Sequence, residues 1–119
     1  MSWQPAVKAA ELSETNTAVP ARVDGTGLLL TRDESGTVRA FENQCPHQAA
    51  TVCRESQVGE TTVECPNHYW VFGLDGTFMG SRIALAAGRT PPPDPEKNLR
   101  EFPCRVTDAT VEVDLTPDR

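Results

Sequence analysis

The chain has 119 residues, of which 11 are basic and 17 acidic, so its formal net charge at neutral pH is −6. This length predicts one domain, residues 1–119, and the acidic balance argues against nucleic-acid binding, which needs a basic face. Aromatic residues make up only 6% of the chain, whereas it contains 10 prolines and 8 glycines, a mixture typical of short strands joined by tight turns.

The amino terminus does not resemble a secretion signal, because it lacks a positive start followed by an apolar run. The longest apolar run, residues 28–30, is far shorter than a membrane span. Cysteines without an export signal indicate a reducing compartment. We therefore expect a cytoplasmic protein that does not enter a membrane, with a monomer as the default state.

The predicted secondary structure is almost entirely β. Residues 7–12 form at most a turn or two of helix, and the motif at 33–36 is expected to close a hairpin. Asp75 and Gly76 form a second hairpin signal. The alanine-rich stretch 81–88 is either a short helix or an insertion, and its periodicity does not decide between them. The predicted strands are residues 27–31, 38–41, 61–64, 69–72, 100–106 and 110–115.

The last of these strands has a clear period of two, which places alternate residues on opposite faces. Its apolar face is predicted to contain Val111, Val113 and Leu115, and its polar face Glu112 and Asp114. Short, closely spaced strands of this kind indicate an all-β protein, a small antiparallel sandwich or barrel.

The chemistry of the chain is concentrated in one motif. Cys45-Pro46-His47 is followed, after 17 residues, by Cys65-Pro66-Asn67-His68. Both histidines of the chain therefore lie at metal-ligand spacing beside a cysteine, and no imidazole remains for acid–base catalysis. The function is predicted to depend on a metal centre.

Two metal centres suit two thiolates and two imidazoles. One is a tetrahedral zinc ion, and the other is a two-iron, two-sulfide cluster in which two histidines replace two cysteines on one iron. Zinc fingers usually present a cysteine pair and then a histidine pair. Two loops with one cysteine and one histidine each are better suited to the iron–sulfur cluster, although structural zinc stays an alternative.

The pattern Cys-x-His and Cys-x-x-His, together with residues 65–76, 91–93 and 99–103, resembles the Rieske [2Fe-2S] proteins over nearly the whole chain. The resemblance implies a [2Fe-2S] cluster in a subdomain of two loops, at about residues 43–95. It further implies that Cys45 and Cys65 bind one iron and that His47 and His68 bind the other.

Several departures from the family pattern bear on the reduction potential. High-potential members carry a disulfide where this chain has Ala50 and Asn67, and a serine hydroxyl where it has Trp70. Without these groups we expect the low end of the Rieske range, about −150 mV. Most members also have glycine where this chain has Tyr69.

The low-potential, free-standing type resembles the ferredoxin components of multicomponent oxygenases. The resemblance thus implies a soluble electron carrier, not an enzyme, that takes single electrons from a flavin-containing, NAD(P)H-dependent ferredoxin reductase. It would deliver them to the terminal oxygenase of an aromatic or hydrocarbon dioxygenase system. The alternatives are the ferredoxin of a diiron monooxygenase and the small subunit of an assimilatory nitrite reductase.

Three further features have two interpretations each. Cys53 and Cys104 are either redox-active or bridged thiols, or simply small buried apolar residues. Trp70 either covers the cluster or packs in the core, and the prolines at 91–93 either form a lid over the cluster or stiffen a loop.

Overall fold

The computed structural model describes residues 3–45, 51–66, 69–92 and 94–115, which fold into antiparallel β-sheets with little helix. The all-β fold class is thus confirmed. The strands in the described residues are β1 (Trp3–Lys8), β2 (Thr17–Val23), β3 (Thr26–Arg32), β4 (Val38–Glu42), β5 (Gln57–Val58), β6 (Thr62–Glu64), β7 (Trp70–Gly73), β8 (Phe78–Ser81), β9 (Glu101–Phe102), β10 (Cys104–Val106) and β11 (Thr110–Asp114). One short helix, α1 (Arg82–Ala86), and two 3-10 turns, Ala9–Leu12 and Pro95–Lys97, complete the described elements.

The strands form three sheets. A five-stranded sheet has the order β5-β2-β3-β4-β9, and two three-stranded sheets have the orders β1-β11-β10 and β6-β7-β8. Every strand pair is antiparallel. The strand order of each sheet runs from one edge strand to another. The structure therefore needs no closed barrel, which was one of the two predicted architectures.

The five-stranded sheet is covered on both faces, which explains the apolar run in β3. Leu28, Leu29 and Leu30 are all fully buried, but alternate side chains of a strand point to opposite faces. Leu29 accordingly contributes to one apolar core, whereas Leu28 and Leu30 contribute to the other. A continuous apolar run is typical of a strand buried on both sides.

The two cores have different partners. The first, here called the cysteine core, lies between the five-stranded sheet and the β6-β7-β8 sheet and consists of Ala18, Leu29, Phe41, Cys45, Val52, Cys53, Val63, Cys65, Phe72, Leu74 and Leu99. The second, here called the outer core, lies against the β1-β11-β10 sheet and consists of Val7, Leu12, Val19, Val23, Leu28, Leu30, Ala40, Phe102, Val111 and Val113.

Two turn predictions are confirmed, and the ambiguous alanine-rich stretch is a helix. In the 33–36 turn, the backbone N–H of Gly36 donates to the carbonyl of Asp33 at 3.0 Å. The N–H of Gly76 donates to the carbonyl of Gly73 at 2.9 Å, between β7 and β8. Helix α1 begins after Ser81, whose hydroxyl caps it by accepting from the N–H of Ala84 at 3.2 Å.

The predicted strand 100–106 is two strands in two sheets. β9 pairs with β4, whereas β10 pairs with β11, and Pro103 separates them. Because proline has no N–H to donate, it interrupts a ladder and lets the chain cross from one sheet to the other.

The predicted polar face of the last strand is also corrected. Asp114 is 3% exposed rather than solvated. Its strand is the middle one of its sheet, and its N–H donates to the carbonyl of Pro103 at 3.0 Å. Alternation identified the apolar face, but burial of the other face depends on what packs over it, which alternation does not show.

Strand β2 was not predicted, because it contains Pro20 and follows a run of polar residues. Pro20 is accommodated because β5 pairs only with Thr17 and Ala18. One side of β2 therefore has no neighbouring strand at the proline, where no N–H is required. Strands β1, β5 and β8 were likewise missed. Within the described part of the chain, no helix is long and apolar enough to cross a membrane.

Candidate metal centre

The two motif cysteines lie in the same apolar core. Cys45 follows β4 by three residues and Cys65 directly follows β6, so each stands where a strand ends and a loop begins. Their exposed fractions are 3% and 1%. Both belong to the cysteine core, and no bulk water reaches them. Two soft sulfur donors in a dry pocket fit the buried iron of a His-ligated iron–sulfur cluster.

The predicted histidine ligands, His47 and His68, lie outside the described residues. Residues 46–50 and 67–68 separate the described parts of the two loops. The structure therefore brings Cys45 and Cys65 together, while ligation by His47 and His68 stays a prediction. The described residues contain no histidine, and among them no three metal-ligating side chains are grouped together.

The second loop is closed by backbone hydrogen bonds. The N–H of Cys65 donates to the carbonyl of Trp70 at 2.8 Å, and the N–H of Tyr69 donates to the carbonyl of Cys65 at 2.9 Å. The N–H of Arg82 then donates to the carbonyl of Tyr69 at 2.8 Å. These bonds tie both ends of the loop to each other and to the start of α1.

Tyr69 has a left-handed backbone, with φ at +58°. This conformation favours glycine, which explains why glycine suits the position in most family members. The tyrosine ring is 40% exposed, and the Arg82 guanidinium lies 4.3 Å from its centroid. Arg82 also forms an ion pair with Glu64, at 3.3 Å.

A pair of substitutions at Tyr69 tests this strain. Tyr69→Val and Tyr69→Asn both remove the ring and its contact with Arg82, but asparagine tolerates a positive φ and a β-branched residue does not. We expect Tyr69→Val to be less stable than Tyr69→Asn by about 2 kcal/mol. Urea unfolding of the cluster-loaded protein measures the difference, and equal stabilities would contradict the left-handed backbone.

The first loop is tied by a side chain that the sequence analysis missed. Asn43, the residue after β4, is 8% exposed, and its amide bonds to the backbone of Val52 and Cys53. The sequence feature that could have identified this role is an asparagine two residues before a ligand cysteine, at the end of a strand that enters the core.

Cys53 and Cys104 belong to different parts of the molecule. Cys53 is 5% exposed in the cysteine core, and its thiol donates to the carbonyl of Glu55 at 3.1 Å. Cys104 packs against the outer core, and its thiol donates to the carbonyl of Val38 at 3.4 Å. No disulfide joins them.

Burial raises the pKa of both thiols, and the nearby Glu101 carboxylate raises the pKa of Cys104 further. Both thiols are therefore protonated at neutral pH, and a protonated thiol is less nucleophilic than a thiolate. Of the two interpretations, the structure supports Cys53 and Cys104 as small buried apolar residues and not as redox-active or bridged thiols.

Trp70 belongs to an aromatic group on the β7–β8 hairpin. Its ring centroid lies 4.5 Å from that of Phe78 and 6.5 Å from that of Phe72. The ammonium of Lys97 lies 5.8 Å from the Trp70 ring. Trp70 thus packs against the cysteine core, and the expectation that it covers the cluster stays a prediction.

Only part of the proline run is described, because Pro93 lies outside the described residues. Pro91 lies against β8: a Cβ on Gly80 would come within 3.0 Å of its Cδ. The lid over the cluster stays a prediction.

The fold and the two buried cysteines define an iron–sulfur domain of the two-loop type. Comparison with known proteins agrees: the family model described as "Rieske [2Fe-2S] domain" matches residues 2–87. The chain therefore belongs to the Rieske [2Fe-2S] domain family, and its cofactor is a [2Fe-2S] cluster. This finding removes the structural-zinc alternative.

Curated relatives are larger proteins. The carnitine monooxygenase oxygenase subunit of Acinetobacter baumannii is 31% identical over 81 residues, which are 68% of this chain and 22% of that protein. Choline monooxygenase of Amaranthus tricolor is 36% identical over 78 residues, or 65% of this chain and 17% of that protein. The anthranilate 1,2-dioxygenase large subunit of Burkholderia cepacia is 30% identical over 79 residues, 66% of this chain and 19% of that protein. The chain thus spans only about a fifth of the length of these relatives.

Solved structures confirm the fold. The quaternary ammonium Rieske monooxygenase CntA with L-carnitine superposes with a TM-score of 0.80 at 22% identity, covering 99% of this chain and 34% of that chain. Naphthalene 1,2-dioxygenase from Rhodococcus sp. gives a TM-score of 0.81 at 24% identity, covering 98% of this chain and 27% of that chain.

These findings correct two predictions. The interpretation as a free-standing ferredoxin, with its diiron-monooxygenase and nitrite-reductase alternatives, is wrong, as is the expectation of an electron carrier that is not itself an enzyme. The relatives are subunits of oxygenases. The error has a physical cause: ferredoxins and oxygenases need the same four ligands at the same spacing to bind the cluster, so the motif cannot separate them.

Proposed function

We propose that this chain is the cluster-binding domain of a Rieske terminal oxygenase, which accepts electrons for the reduction of dioxygen. The observation that supports the proposal is that relatives with named activities are monooxygenases, dioxygenases or their subunits and match across 66–82% of this chain. We take residues 1–119 as one Rieske domain whose cluster-binding part is about residues 43–95.

In this proposal Cys45 and Cys65 hold one iron in the cysteine core, and His47 and His68 hold the other. When bound, the cluster supplies transfer of one electron at a time. The apolar residues of the cysteine core exclude water from the thiolates. The backbone bonds of the second loop hold Cys65 in place, so little rearrangement accompanies a change of charge at the site.

The residues around the site favour a low reduction potential. Two thiolates in an apolar core add negative charge where water cannot screen it, which disfavours a further electron. Trp70 stands where a hydroxyl would otherwise donate a hydrogen bond to a sulfide, and its ring packs on Phe78. The expectation of about −150 mV is kept as part of this proposal.

The proposal concerns the type of reaction and not one substrate. The named relatives act on carnitine, choline, anthranilate and dimethyl phenylurea, at identities of 28–36%. Two of these molecules are quaternary ammonium compounds, one is a phenylurea and one an aromatic acid, so similarity in this domain does not select one substrate. We propose a flavin-containing, NAD(P)H-dependent reductase as the electron donor. Electrons pass between subunits in the CntA monooxygenase. By analogy, we propose that the protein containing this chain is an oligomer and not the monomer expected above.

The native assembly tests the proposal. Antibodies against this chain would isolate the protein from cells that express its gene, and mass spectrometry would identify what it is joined to or bound by. We expect oxygenase sequence in 1:1 ratio with the Rieske domain, and iron in excess of the cluster iron. After reduction and exposure to dioxygen, the isolated material should form product without an added ferredoxin.

A variant separates association from electron transfer in the same preparation. Cys65→Ser should leave the oxygenase sequence associated and abolish product formation. A 13.0 kDa protein that holds only cluster iron, and that reduces a separate oxygenase, would refute the proposal.

A further inference from the structure

Asn43 links the five-stranded sheet to the far end of the first cluster loop. Its backbone N–H donates to the carbonyl of Gly27 at 3.0 Å, which fixes it beside β3. It lies two residues before Cys45, and its exposed fraction is 8%. The residue therefore stands at the point where the sheet ends and the loop begins.

The side-chain amide of Asn43 closes this loop with three hydrogen bonds. Its Oδ1 accepts from the N–H groups of Val52, at 3.1 Å, and Cys53, at 2.9 Å. Its Nδ2 donates to the carbonyl of Cys53 at 2.7 Å. One planar amide thus serves as acceptor and donor to a segment nine and ten residues further along the chain.

Only an amide of this length suits the position. A leucine would leave two N–H groups and a carbonyl buried without partners. An aspartate would keep the acceptor but place a carboxylate oxygen against the Cys53 carbonyl. A glutamine would carry the amide one methylene too far in a closely packed site.

The two cluster loops are secured differently. The second loop is closed by its own backbone, through Cys65, Tyr69 and Trp70. In the first loop, three hydrogen bonds from the Asn43 side chain join the start of the loop to Val52 and Cys53 at its end. Loss of that side chain would remove these three bonds and leave Val52 and Cys53 to be held by their packing in the cysteine core.

We propose that Asn43 is a positioning residue for the [2Fe-2S] cluster. It ties Val52 and Cys53, at the far end of the first loop, to the start of the loop beside β3, and so sets the position of Cys45. The proposal depends on the cluster and not on the oxygenase assignment, because its test reads the cluster directly.

The test compares Asn43→Ala with Thr31→Val. Thr31 is fully buried in β3, and its hydroxyl donates to the carbonyl of Leu74 at 2.7 Å, so its replacement also breaks a buried hydrogen bond but not one of the first loop. Each purified holoprotein is given an excess of a ferrous chelator after reduction, and iron release is followed with time. Urea unfolding reports the loss of global stability in both variants.

We expect Asn43→Ala to release iron at least about tenfold faster than the wild type, because two backbone N–H groups and one carbonyl lose their partner and a single such loss is already worth about tenfold. Its rhombic EPR signal should broaden, because the ligand geometry becomes heterogeneous. Thr31→Val should keep the wild-type EPR signal and a release rate within about twofold of the wild type, despite lower global stability.

Equal release rates and unchanged EPR signals in the two variants would overturn the proposal and leave Asn43 with a general structural role. If Asn43→Ala does not fold, Asn43→Ser provides the same comparison, because its small polar side chain is tolerated but cannot reach Val52 and Cys53. Wild-type iron release by Asn43→Ser would equally overturn the proposal.

Discussion

Replacement of Cys65 with serine is expected to abolish the cluster. Cys65 is 1% exposed and lies in the cysteine core together with Cys45. A serine hydroxyl stays protonated near neutral pH and is a harder, weaker ligand for iron than a thiolate. With no water to take its place, the iron loses a ligand. We expect the iron and sulfide content per chain to fall to nearly zero and the rhombic EPR signal to vanish.

Cys104→Ser is the matched control, because it makes the same chemical change elsewhere. Cys104 packs against the outer core, on the other face of the five-stranded sheet from Cys65. That variant should keep its iron, its sulfide and its EPR signal. A cluster retained in Cys65→Ser, or one lost only in Cys104→Ser, would contradict the ligand assignment.

Gly76→Ala is expected to destabilise the protein by about 3 kcal/mol, the sum of backbone strain and an overfilled core. Gly76 has φ at +85° in the turn between β7 and β8. A Cβ there would lie 3.0 Å from Cδ1 and Cζ of Phe41, and would contact Cε1. Phe41 is 1% exposed in the cysteine core, so its ring has little room to move.

Gly59→Ala separates the two contributions. Gly59 has a similar φ of +89°, but a Cβ there would meet nothing within 4 Å. That variant should lose about 1 kcal/mol, from backbone strain alone. Urea unfolding of both holoproteins gives the comparison. Equal losses would show that the Phe41 ring yields to the added methyl group.

The proposed oxygenase role rests on neither the motif residues nor the fold. The four-ligand motif identifies a cofactor. The identity and spacing of the ligands are set by the requirements of cluster binding, which are the same in ferredoxins and in oxygenases. The four motif residues are therefore equally compatible with a ferredoxin and with an oxygenase. Similarity along the rest of the chain to named oxygenase subunits was needed to separate the two.

The sequence by itself determined the features that depend on local chemistry. Leu28, Leu29 and Leu30 predicted a strand, and the alternation of Val111 and Val113 predicted the apolar face of β11, since side-chain periodicity is a property of the strand. The spacing of Cys45 and Cys65 predicted two loops that share a metal centre.

The tertiary structure decided what depends on neighbours distant in sequence. The predicted strand 100–106 divides between two sheets at Pro103, and Asp114, which was expected on the polar face of β11, is buried. In the sequence, Asn43 is an ordinary polar residue. Its role appears only in the folded chain, where its side chain forms hydrogen bonds with the backbone of Val52 and Cys53. Hydrogen-bond partners and burial are set by which chain segments meet, and local sequence patterns do not contain that information.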